Sequence, residues 1–563
     1  MKSQSGFIDL REPYRIGNCR VDPASGRIQG GGRDVRLQPQ AIKVLTFLAG
    51  RPGEVVSRSE IEDAVWQGRV VGYDALTSII FKLRKALGDD PKEPRIIETL
   101  SKRGYRLLAA PQPGLETAGR AEAAAPVSGR PGSGPRRAAA AAVLLAVAAA
   151  GLLWTAQRDS RPEASDPLPA RNAVVVLPFQ PLDALDSREL LADGLTDDLT
   201  TALAKSRDLL VIARDSAFLY KEDTFDYREI ARRLGVDYIL HGTLRGKGAD
   251  LRINVQLVDA RDGSHRWAES YDSAAGGIFD VEDKVLQAVM PLLTGRTGAG
   301  ESERLLVVRT SSAAAYRAFQ LGRQHFYLYR NKAENAKARA FFEDAVAQDP
   351  GFAMAHAMLA WTHVFDAANG WAGDRGAALR RAETEAHRAI AADPAIPLSY
   401  FITGLVFRER GEEIKAMVEV EKALALDPNY ANAHVLMATL FYYAGRPAES
   451  VARLQQAMRL NPHHPFNYQF HLGQAYFVLR DYDKAIEAFL AGIESNPSSE
   501  RLHIWLAAAY AQAGRMDDAG WEAEQVHILN PDFSLTAISK AFPFKDPVDR
   551  DHFVGALRKA GLS

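Results

Sequence analysis

Apolar residues recur at two different spacings near the start of the chain, and each spacing predicts a different element. Between residues 14 and 38, short apolar alternations are broken by Pro-Ala-Ser-Gly and Gly-Gly-Gly, which is typical of a small antiparallel sheet. Helical spacing follows, and it begins again after Ser57, where Glu60 completes a capping box. A third helix is predicted over residues 74–87, with an apolar stripe at helical spacing. The stripe consists of Leu76, Ile79, Ile80, Leu83 and Leu87.

The other side of this third helix is polar and basic. It carries Thr77, Ser78, Phe81, Lys82, Arg84 and Lys85. Cations, hydroxyl groups and an aromatic ring on one face suit DNA phosphates and base edges. Two short strands, 96–100 and 105–108, then surround Ser-Lys-Arg-Gly, so that Lys102 and Arg103 lie at a hairpin tip suited to a minor groove. Residues 1–110 contain 19 Lys and Arg against 13 Asp and Glu, a surplus of 19 − 13 = 6, which favours a polyanionic partner.

Three runs make the resemblance of this region specific: RLQPQAIKVLTFLAGRPGEVVSRSEI, LTSIIFKLRKALGDD and IIETLSKRGYRL. They resemble the OmpR/PhoB-type winged-helix domain, and the resemblance covers residues 10–110. It implies a recognition helix in the major groove of double-stranded promoter DNA and a wing at 99–105 on the adjacent minor groove. RNA polymerase and a second copy of the chain on DNA are further predicted partners. The implied DNA contacts are Thr77, Ser78, Phe81, Lys82 and Arg84 in the helix, and Thr99, Lys102, Arg103 and Tyr105 in the wing.

Two departures from the family pattern affect these expectations. Phe81 stands where many members carry a basic residue, so a phosphate contact at that position is either missing or replaced by a contact with a thymine methyl group. The winged helix also begins close to residue 1, whereas response regulators of this family have a receiver domain ahead of it. Direct control by an aspartyl phosphate is therefore not expected.

A linker and a hydrophobic segment follow the winged helix. Residues 111–137 are rich in Pro, Gly, Ala and Glu and predict a flexible linker. Residues 138–157 are uncharged, and twenty helical residues span about 30 Å, one hydrocarbon thickness. We therefore expect a transmembrane helix, with the protein in a bacterial inner membrane as a single-pass protein, its N-terminus cytoplasmic and its C-terminal region outside the cytoplasm. The alternative is an Ala-rich linker, because only four Leu and two Val contribute to insertion, about −2 to −3.5 kcal/mol in all.

Residues 172–296 alternate strand and helix signals and predict an α/β domain with a mixed sheet. The runs VVVLPF, LADGLTDDLTTALAK and LRINVQLVDARDGSHRWAESYD resemble the TolB N-terminal-like (FlgO-like) domain. Asp193, Asp197 and Asp198 share one predicted helix. A solvated face or a first helical turn explains such a cluster better than a metal site does.

The region 316–531 is repetitive. Asp-Pro or Asn-Pro pairs recur at intervals of 44, 34, 34, 35 and 34 residues, which indicates about six tetratricopeptide repeats (TPRs). The resemblance to this repeat family implies stacked helix pairs with a concave face that binds a protein or peptide partner. Four aromatic residues either line such a face or, as is more common, fill the repeat core: Tyr442, Tyr443, Phe470 and Phe477. Residues 532–563 are predicted to form a C-terminal tail or capping helix.

Together these regions predict a multidomain fold class: a winged helix-turn-helix (α+β), one transmembrane helix, an α/β TolB-N-like domain and an all-α TPR solenoid. The expected function is a one-component, membrane-anchored DNA-binding transcription regulator of the CadC/ToxR-like layout, with outer sensing and protein-interaction domains. The alternative is a soluble cytoplasmic winged-helix regulator whose repeats bind a protein partner. The chain has no P-loop, nucleophile elbow or zinc-ligand spacing, so no catalytic residue, metal site or cofactor is predicted, and we do not expect an enzyme.

Overall fold

The computed structural model describes most of the chain outside one long segment. The described residues are 10, 12–30, 33–37, 39–66, 75–89, 94–100, 104–113, 172–182, 186–221, 226–247, 250–274, 277–295, 310–328, 331–541 and 544–563.

The N-terminal domain combines a small sheet, three described helices and a hairpin. In chain order the elements are β1 (Tyr14–Ile16), β2 (Cys19–Asp22), β3 (Arg27–Gly30), β4 (Arg33–Arg36), α1 (Pro39–Ala49), α2 (Arg58–Trp66), α3 (Ala75–Leu87), β5 (Ile97–Leu100), β6 (Gly104–Leu107) and β7 (Gln112–Pro113). The sheet has the order β4-β3-β2-β1-β7, and β5 pairs with β6 as a separate antiparallel hairpin. This is the winged-helix arrangement that the sequence predicts.

Local sequence signals account for how these helices begin and pack. The Ser57 N–H donates to a Glu60 carboxylate oxygen (2.8 Å), and the Glu60 N–H donates to the Ser57 hydroxyl (3.2 Å), which confirms the capping box. The predicted apolar stripe of α3 is buried, with Leu76, Ile79 and Leu83 fully enclosed. The stripe fixes which side of α3 faces the core, and hence which side faces outward.

The predicted transmembrane helix needs correction. Among the described residues, no helix is both long enough and apolar enough to cross a membrane. This finding contradicts the transmembrane element of the predicted fold class and the single-pass inner-membrane location that followed from it. Residues 138–157 lie outside the described residues. The prediction rested on the length of an uncharged run, and alanine, its most frequent residue, adds little to insertion.

The second region is an α/β domain around a six-stranded sheet. Its elements are β8 (Asn172–Val176), β9 (Gln180–Pro181), α4 (Asp186–Ala204), β10 (Leu209–Val211), α5 (Arg214–Ala217), a 3-10 turn (Phe218–Tyr220), α6 (Tyr227–Leu234), β11 (Tyr238–Lys247), β12 (Asp250–Asp259), β13 (His265–Ala274) and α7 (Ile278–Thr294). The order is β10-β8-β11-β12-β13, with β9 beside β11. The strand β8 runs parallel to both neighbours, and its residues 173–176 are apolar and buried because both of its faces are covered.

The third region is a stack of helix pairs. The pairs are α8 (Ala313–Leu328) with α9 (Lys332–Gln348), α10 (Ala353–Ala368) with α11 (Arg375–Ala392), α12 (Pro397–Glu409) with α13 (Glu413–Leu426), α14 (Ala431–Tyr443) with α15 (Pro447–Leu460), α16 (Phe466–Val478) with α17 (Tyr482–Ser495), and α18 (Glu500–Gln512) with α19 (Met516–Leu529). Two further helices follow, α20 (Leu535–Ala541) and α21 (Pro547–Lys559). The all-α repeat region predicted from the Asp/Asn-Pro spacing is therefore confirmed.

Two details of the repeats follow from the helix lengths and burial. The 44-residue interval has two causes: α10 and α11 have 16 and 18 residues, whereas α12 and α13 have 13 and 14, and the turn between α10 and α11 (369–374) is longer than the turn between α12 and α13 (410–412). Of the predicted aromatic residues, Tyr442, Phe470 and Phe477 are buried in the repeat core, so the core interpretation holds for them.

The α/β domain is hydrogen-bonded to the turns of the repeats. The Asn429 side-chain amide donates to the carbonyl oxygens of Ala204 (2.8 Å) and Ser206 (3.1 Å). One repeat further along, the Ala213 N–H donates to the Leu460 carbonyl (2.7 Å). The bonds of Asn429 are buried, so separating the two regions would exchange these hydrogen bonds for bonds to water.

Buried ion pairs reinforce this contact. The Arg323 guanidinium of α8 pairs with both Asp197 and Asp198 of α4, and the Tyr316 hydroxyl donates to Asp198 (3.0 Å). Asp197 is only 3% exposed, so the expectation of a solvated acidic face is wrong for this residue. The cations that bury it come from elsewhere in the chain, which the local pattern of α4 does not show.

Candidate nucleic-acid interface

The outward side of α3 holds the predicted DNA-reading residues. Leu76, Ile80 and Leu83 face the core, and at 100° per residue the positions of the predicted contacts fall on the other side of the helix. Lys85 is exposed there. Four other predicted contacts lie within α3, but the structure describes only their backbone and not their side chains: Thr77, Ser78, Phe81 and Lys82.

Arg84 connects this helix to the wing. Its guanidinium donates to the Ile97 carbonyl through Nη2 (2.8 Å) and to the Thr99 hydroxyl through the same nitrogen (2.9 Å). The side chain is only 12% exposed. The structure thus brings together two predicted DNA contacts, Arg84 and Thr99, in a bond that fixes the orientation of α3 relative to β5. Their contact with DNA stays a prediction.

Asp89 organises the turn between the helix and the wing, and the sequence reasoning missed it. Its buried carboxylate accepts the backbone N–H groups of Arg95 (2.7 Å), Ile96 (3.0 Å) and Ile97 (2.8 Å). It also lies 3.9 Å from the Arg84 guanidinium. Gly88 before it has φ +72°, so the helix ends in a left-handed turn. The sequence feature that could have indicated this turn is the Gly88-Asp89 pair directly after the apolar stripe of α3.

The base of the wing is held against the rest of the domain. The Tyr105 N–H donates to the Val56 carbonyl and the Val56 N–H donates to the Tyr105 carbonyl, each at 2.9 Å. Between the strands, Arg106 pairs with Glu98 at 2.6 Å. These bonds fix the hairpin on both sides of its tip. The predicted tip residues Lys102 and Arg103 lie outside the described residues.

The arrangement offers an outward helix face beside a hairpin, and the hydrogen bonds of Arg84 join the two. Such a rigid pair is suited to two adjacent grooves of a duplex, because a fixed angle between helix and wing sets which base pairs each can reach. Among the described residues, no group of three or more His, Cys, Asp or Glu side chains is placed to hold a metal ion.

Comparison with known families agrees with this geometry. Residues 32–107 match the family described as "Transcriptional regulatory protein, C terminal". Residues 170–287 match "HilA/YgeH-like transcriptional regulator, second domain", so the predicted TolB-like assignment of this region is not confirmed. The segments 435–500 and 470–532 match the tetratricopeptide repeat.

Individual relatives cover different parts of the chain. A putative adenylate cyclase 3 of Rhizobium meliloti is 36% identical over 238 residues, which is 42% of this chain and 40% of that protein. The transcriptional activator CadC of Escherichia coli is 41% identical over 101 residues, 18% of this chain and 20% of CadC. The transcriptional regulator HilA of Salmonella typhimurium is 36% identical over 100 residues, 16% of this chain and 18% of HilA. The chain thus spans well under half the length of each of these relatives.

Among solved structures, the DNA-binding domain of E. coli CadC is 38% identical, and the match covers 18% of this chain and 94% of that domain with a TM-score of 0.17. By sequence, residues 32–107 match the family of transcriptional regulatory C-terminal domains, which supports the OmpR/PhoB-type resemblance, and the chain is similar in part to CadC and HilA and matches the tetratricopeptide repeat.

Proposed function

We propose that this protein is a DNA-binding transcription regulator that binds double-stranded promoter DNA through α3 and the β5–β6 wing, and a protein partner through its repeats. The observation that carries the proposal is the bond from Arg84 to the wing, which joins helix and hairpin into one surface in a domain of a DNA-binding family. The named relatives CadC and HilA are a transcriptional activator and a transcriptional regulator, which supports the same class of function here.

The residues proposed to contact bases and phosphates fall into two groups, according to whether they also form hydrogen bonds inside the domain. Arg84 and Thr99 already bond to each other, so changing either alters the shape of the domain as well as its contacts. Lys82, Lys102 and Arg103 are the cleaner probes. Lys82 occupies an outward position of α3, and Lys102 and Arg103 belong to the predicted wing tip.

The test is DNA binding by the full-length protein. Random duplexes are selected with the unmodified chain, and the enriched sequence is then titrated between 50 and 200 mM salt by fluorescence anisotropy. We expect Lys82→Ala to weaken binding about tenfold and to lower the salt slope by roughly 0.9 for each phosphate contact removed. The double variant Lys102→Ala/Arg103→Ala should show a larger fall in slope.

Lys43→Ala is the matched control, because Lys43 is an exposed lysine on α1 of the same domain and its removal changes the charge equally. Its binding should equal that of the unmodified protein. The proposal is refuted if no sequence is enriched, or if Lys82→Ala and Lys43→Ala bind alike.

The protein partner, contact with RNA polymerase and pairing of two copies on DNA remain predictions within this proposal. The repeat match at residues 435–532 supports a protein partner, since such repeats typically bind proteins. Stoichiometry on the enriched duplex, measured by analytical ultracentrifugation, tests the homodimer: two chains per duplex support it and one contradicts it.

A further inference from the structure

The sheet of the α/β domain has one open edge. The strand β13 stands last in the order β10-β8-β11-β12-β13, and among the residues that the structure describes no strand pairs with its outer side. Alternate residues of a strand point their N–H and C=O groups to the same side, so about half of its ten residues offer both groups to a further strand. Ala268 and Ser270, in the middle of β13, are exposed, so this edge is accessible.

The opposite edge of the sheet is closed by the repeats. The Val211 N–H of β10 donates to the side-chain oxygen of Asn429 (3.4 Å), and the Ala213 N–H just after β10 donates to the Leu460 carbonyl (2.7 Å). A further strand could not add to β10 without displacing these bonds. Pairing through β13 therefore cannot continue from one sheet to the next, and it closes with two copies.

The strand β13 lacks the features by which exposed edges commonly avoid pairing. Such edges are short, carry Lys or Pro, or are twisted by a bulge. β13 has ten residues, and none of them is Lys or Pro. The register between β12 and β13 shifts between Leu257 and Val258, opposite the start of β13, so the strand is regularly paired from Trp267 onward. A regular edge of this length is a template for another strand.

The order of charges along β13 favours antiparallel pairing with a copy of itself. The strand begins with His265 and Arg266, whereas Glu269 and Asp272 lie further on. The Arg266 and Asp272 side chains pair with neighbours in the sheet but remain 51% and 69% exposed. In an antiparallel pair of copies, the basic start of one strand lies beside the acidic part of the other. Arg266 and Asp272 are six positions apart and so share one face of the sheet, which lets each approach the other across the pair.

We propose that two copies of this chain associate through β13, with the strands antiparallel across a two-fold axis at Ser270. This position places Glu269 opposite Tyr271 of the second copy, and the Tyr271 hydroxyl already donates to Glu269 within one chain (2.5 Å). Arg266 then lies diagonally across from Asp272 of the second copy. An axis one residue earlier would set the two Glu269 carboxylates opposite each other, which is unfavourable.

This inference rests on the proposed function only in that it gives a surface to the predicted pairing of two copies. The surface belongs to the α/β domain, so the association is tested in the absence of DNA. A monomeric chain that binds its duplex would contradict this inference alone. A dimeric chain that enriches no DNA sequence would contradict the proposed function alone.

Sedimentation velocity of the full-length chain without DNA measures the association. Because a single strand pair buries little area, concentrations from about 1 to 200 µM are compared. We expect the unmodified chain to pass from monomer to dimer within this range. Ser270→Lys should raise the dissociation constant about tenfold or more, because like charges directly opposite each other destabilise a strand pair. Circular dichroism checks that the variant is folded.

Ala336→Lys is the matched control, because Ala336 is exposed on α9 and the change adds the same charge away from the sheet. Its dissociation constant should equal that of the unmodified chain. The proposal is overturned if the unmodified chain stays monomeric throughout, or if folded Ser270→Lys and Ala336→Lys associate alike.

Chemical crosslinking tests the position of the axis independently of any loss of affinity. A residue on the axis lies opposite its own copy, with the two Cβ atoms about 4.5–5.5 Å apart. Ser270→Cys should therefore be joined into a covalent dimer by a short bismaleimide, whereas Ala336→Cys should not; both variants retain the buried Cys19. Failure of Ser270→Cys to crosslink, or equal crosslinking of Ala336→Cys, overturns the proposal.

Discussion

Substitution of Gly104 should damage the DNA-binding domain far more than substitution of Gly53, although both glycines lie in the same domain with positive φ angles. Gly104 has φ +126°, and a Cβ atom there would lie 2.0 Å from the Val56 carbonyl oxygen and 2.8 Å from the Ser57 Cα. Gly53 has φ +81°, and a Cβ atom there would meet nothing within 4 Å. The pair therefore separates the cost of a backbone angle from the cost of a clash.

The magnitudes follow from these two environments. Gly53→Ala should cost about 1–2 kcal/mol, the usual penalty for an L-residue in the left-handed region. Gly104→Ala carries a similar conformational cost of about 1–3 kcal/mol. It must also push the hairpin away from Val56 and break the two 2.9 Å bonds between Val56 and Tyr105, which together contribute about 1–3 kcal/mol. We expect a total of roughly 2–6 kcal/mol for Gly104→Ala.

Amide hydrogen exchange of the full-length variants, followed by mass spectrometry, measures the loss of stability within the DNA-binding domain. Peptides from α1 and α3 should lose about 1–2 kcal/mol of protection in Gly53→Ala and more than twice that in Gly104→Ala, with the repeats unchanged in both. When affinities are compared at equal concentrations of folded protein, only Gly104→Ala should also weaken DNA binding, because only that change displaces the wing. Equal loss of protection in the two variants would refute the reasoning, since the clash would then contribute nothing.

Three further outcomes follow from the same structure. Asp89→Asn should lower protection of residues 95–97 by about 1–3 kcal/mol, because one of the two oxygens that accept three backbone N–H groups becomes a donor; hydrogen exchange of the hairpin checks this. Arg323→Met should destabilise the α/β–repeat contact by about 3–5 kcal/mol, since it leaves the buried Asp197 and the half-buried Asp198 without their shared cation; urea unfolding measures this, and an unchanged midpoint contradicts it. Burial lowers the pKa of His434 to about 4, so the unfolded chain takes up a proton below pH 6.5 that the folded chain does not; stability should therefore fall between pH 6.5 and 4, by on the order of 2 kcal/mol at pH 4.5, and His434→Gln should reduce that fall.

Local signals in the sequence were enough to predict the elements of the winged helix. The Ser57–Glu60 box and the stripe that includes Leu76 and Leu83 involve residues close together in the chain, so their spacing specifies the structure directly. The repeats were predictable for a related reason, because each helix pair packs mainly on its neighbours and the same pattern recurs.

What the sequence could not show is which polar residues are used inside the protein. From its position on α3, Arg84 is predicted to contact DNA. In the structure its guanidinium donates to the Ile97 carbonyl of β5. Asp197 reads as part of a solvated face, yet cations from α5 and from α8, Arg214 and Arg323, surround it. Such an ion pair can be predicted only when both partners are known to be close in space. Arg323 lies more than a hundred residues from Asp197 in the chain, so the sequence does not show that the two meet. The prediction of a membrane helix was wrong for another reason. An uncharged run of sufficient length is compatible with a membrane span but does not require one.

The contact between the α/β domain and the repeats limits where the proposed protein partner can bind. The turn at Asn429 and the carbonyl of Leu460 are already engaged by the α/β domain through buried hydrogen bonds. A partner on this part of the array would have to replace those bonds, and with them the ion pairs of Arg323, before it gained any contact of its own. A partner that binds away from these turns faces no such cost. Ile414 and Val418 show that apolar side chains are available elsewhere, since they lie one turn apart on α13 and are 74% and 46% exposed. The energetics therefore favour a partner that binds the repeats while the α/β domain stays in place.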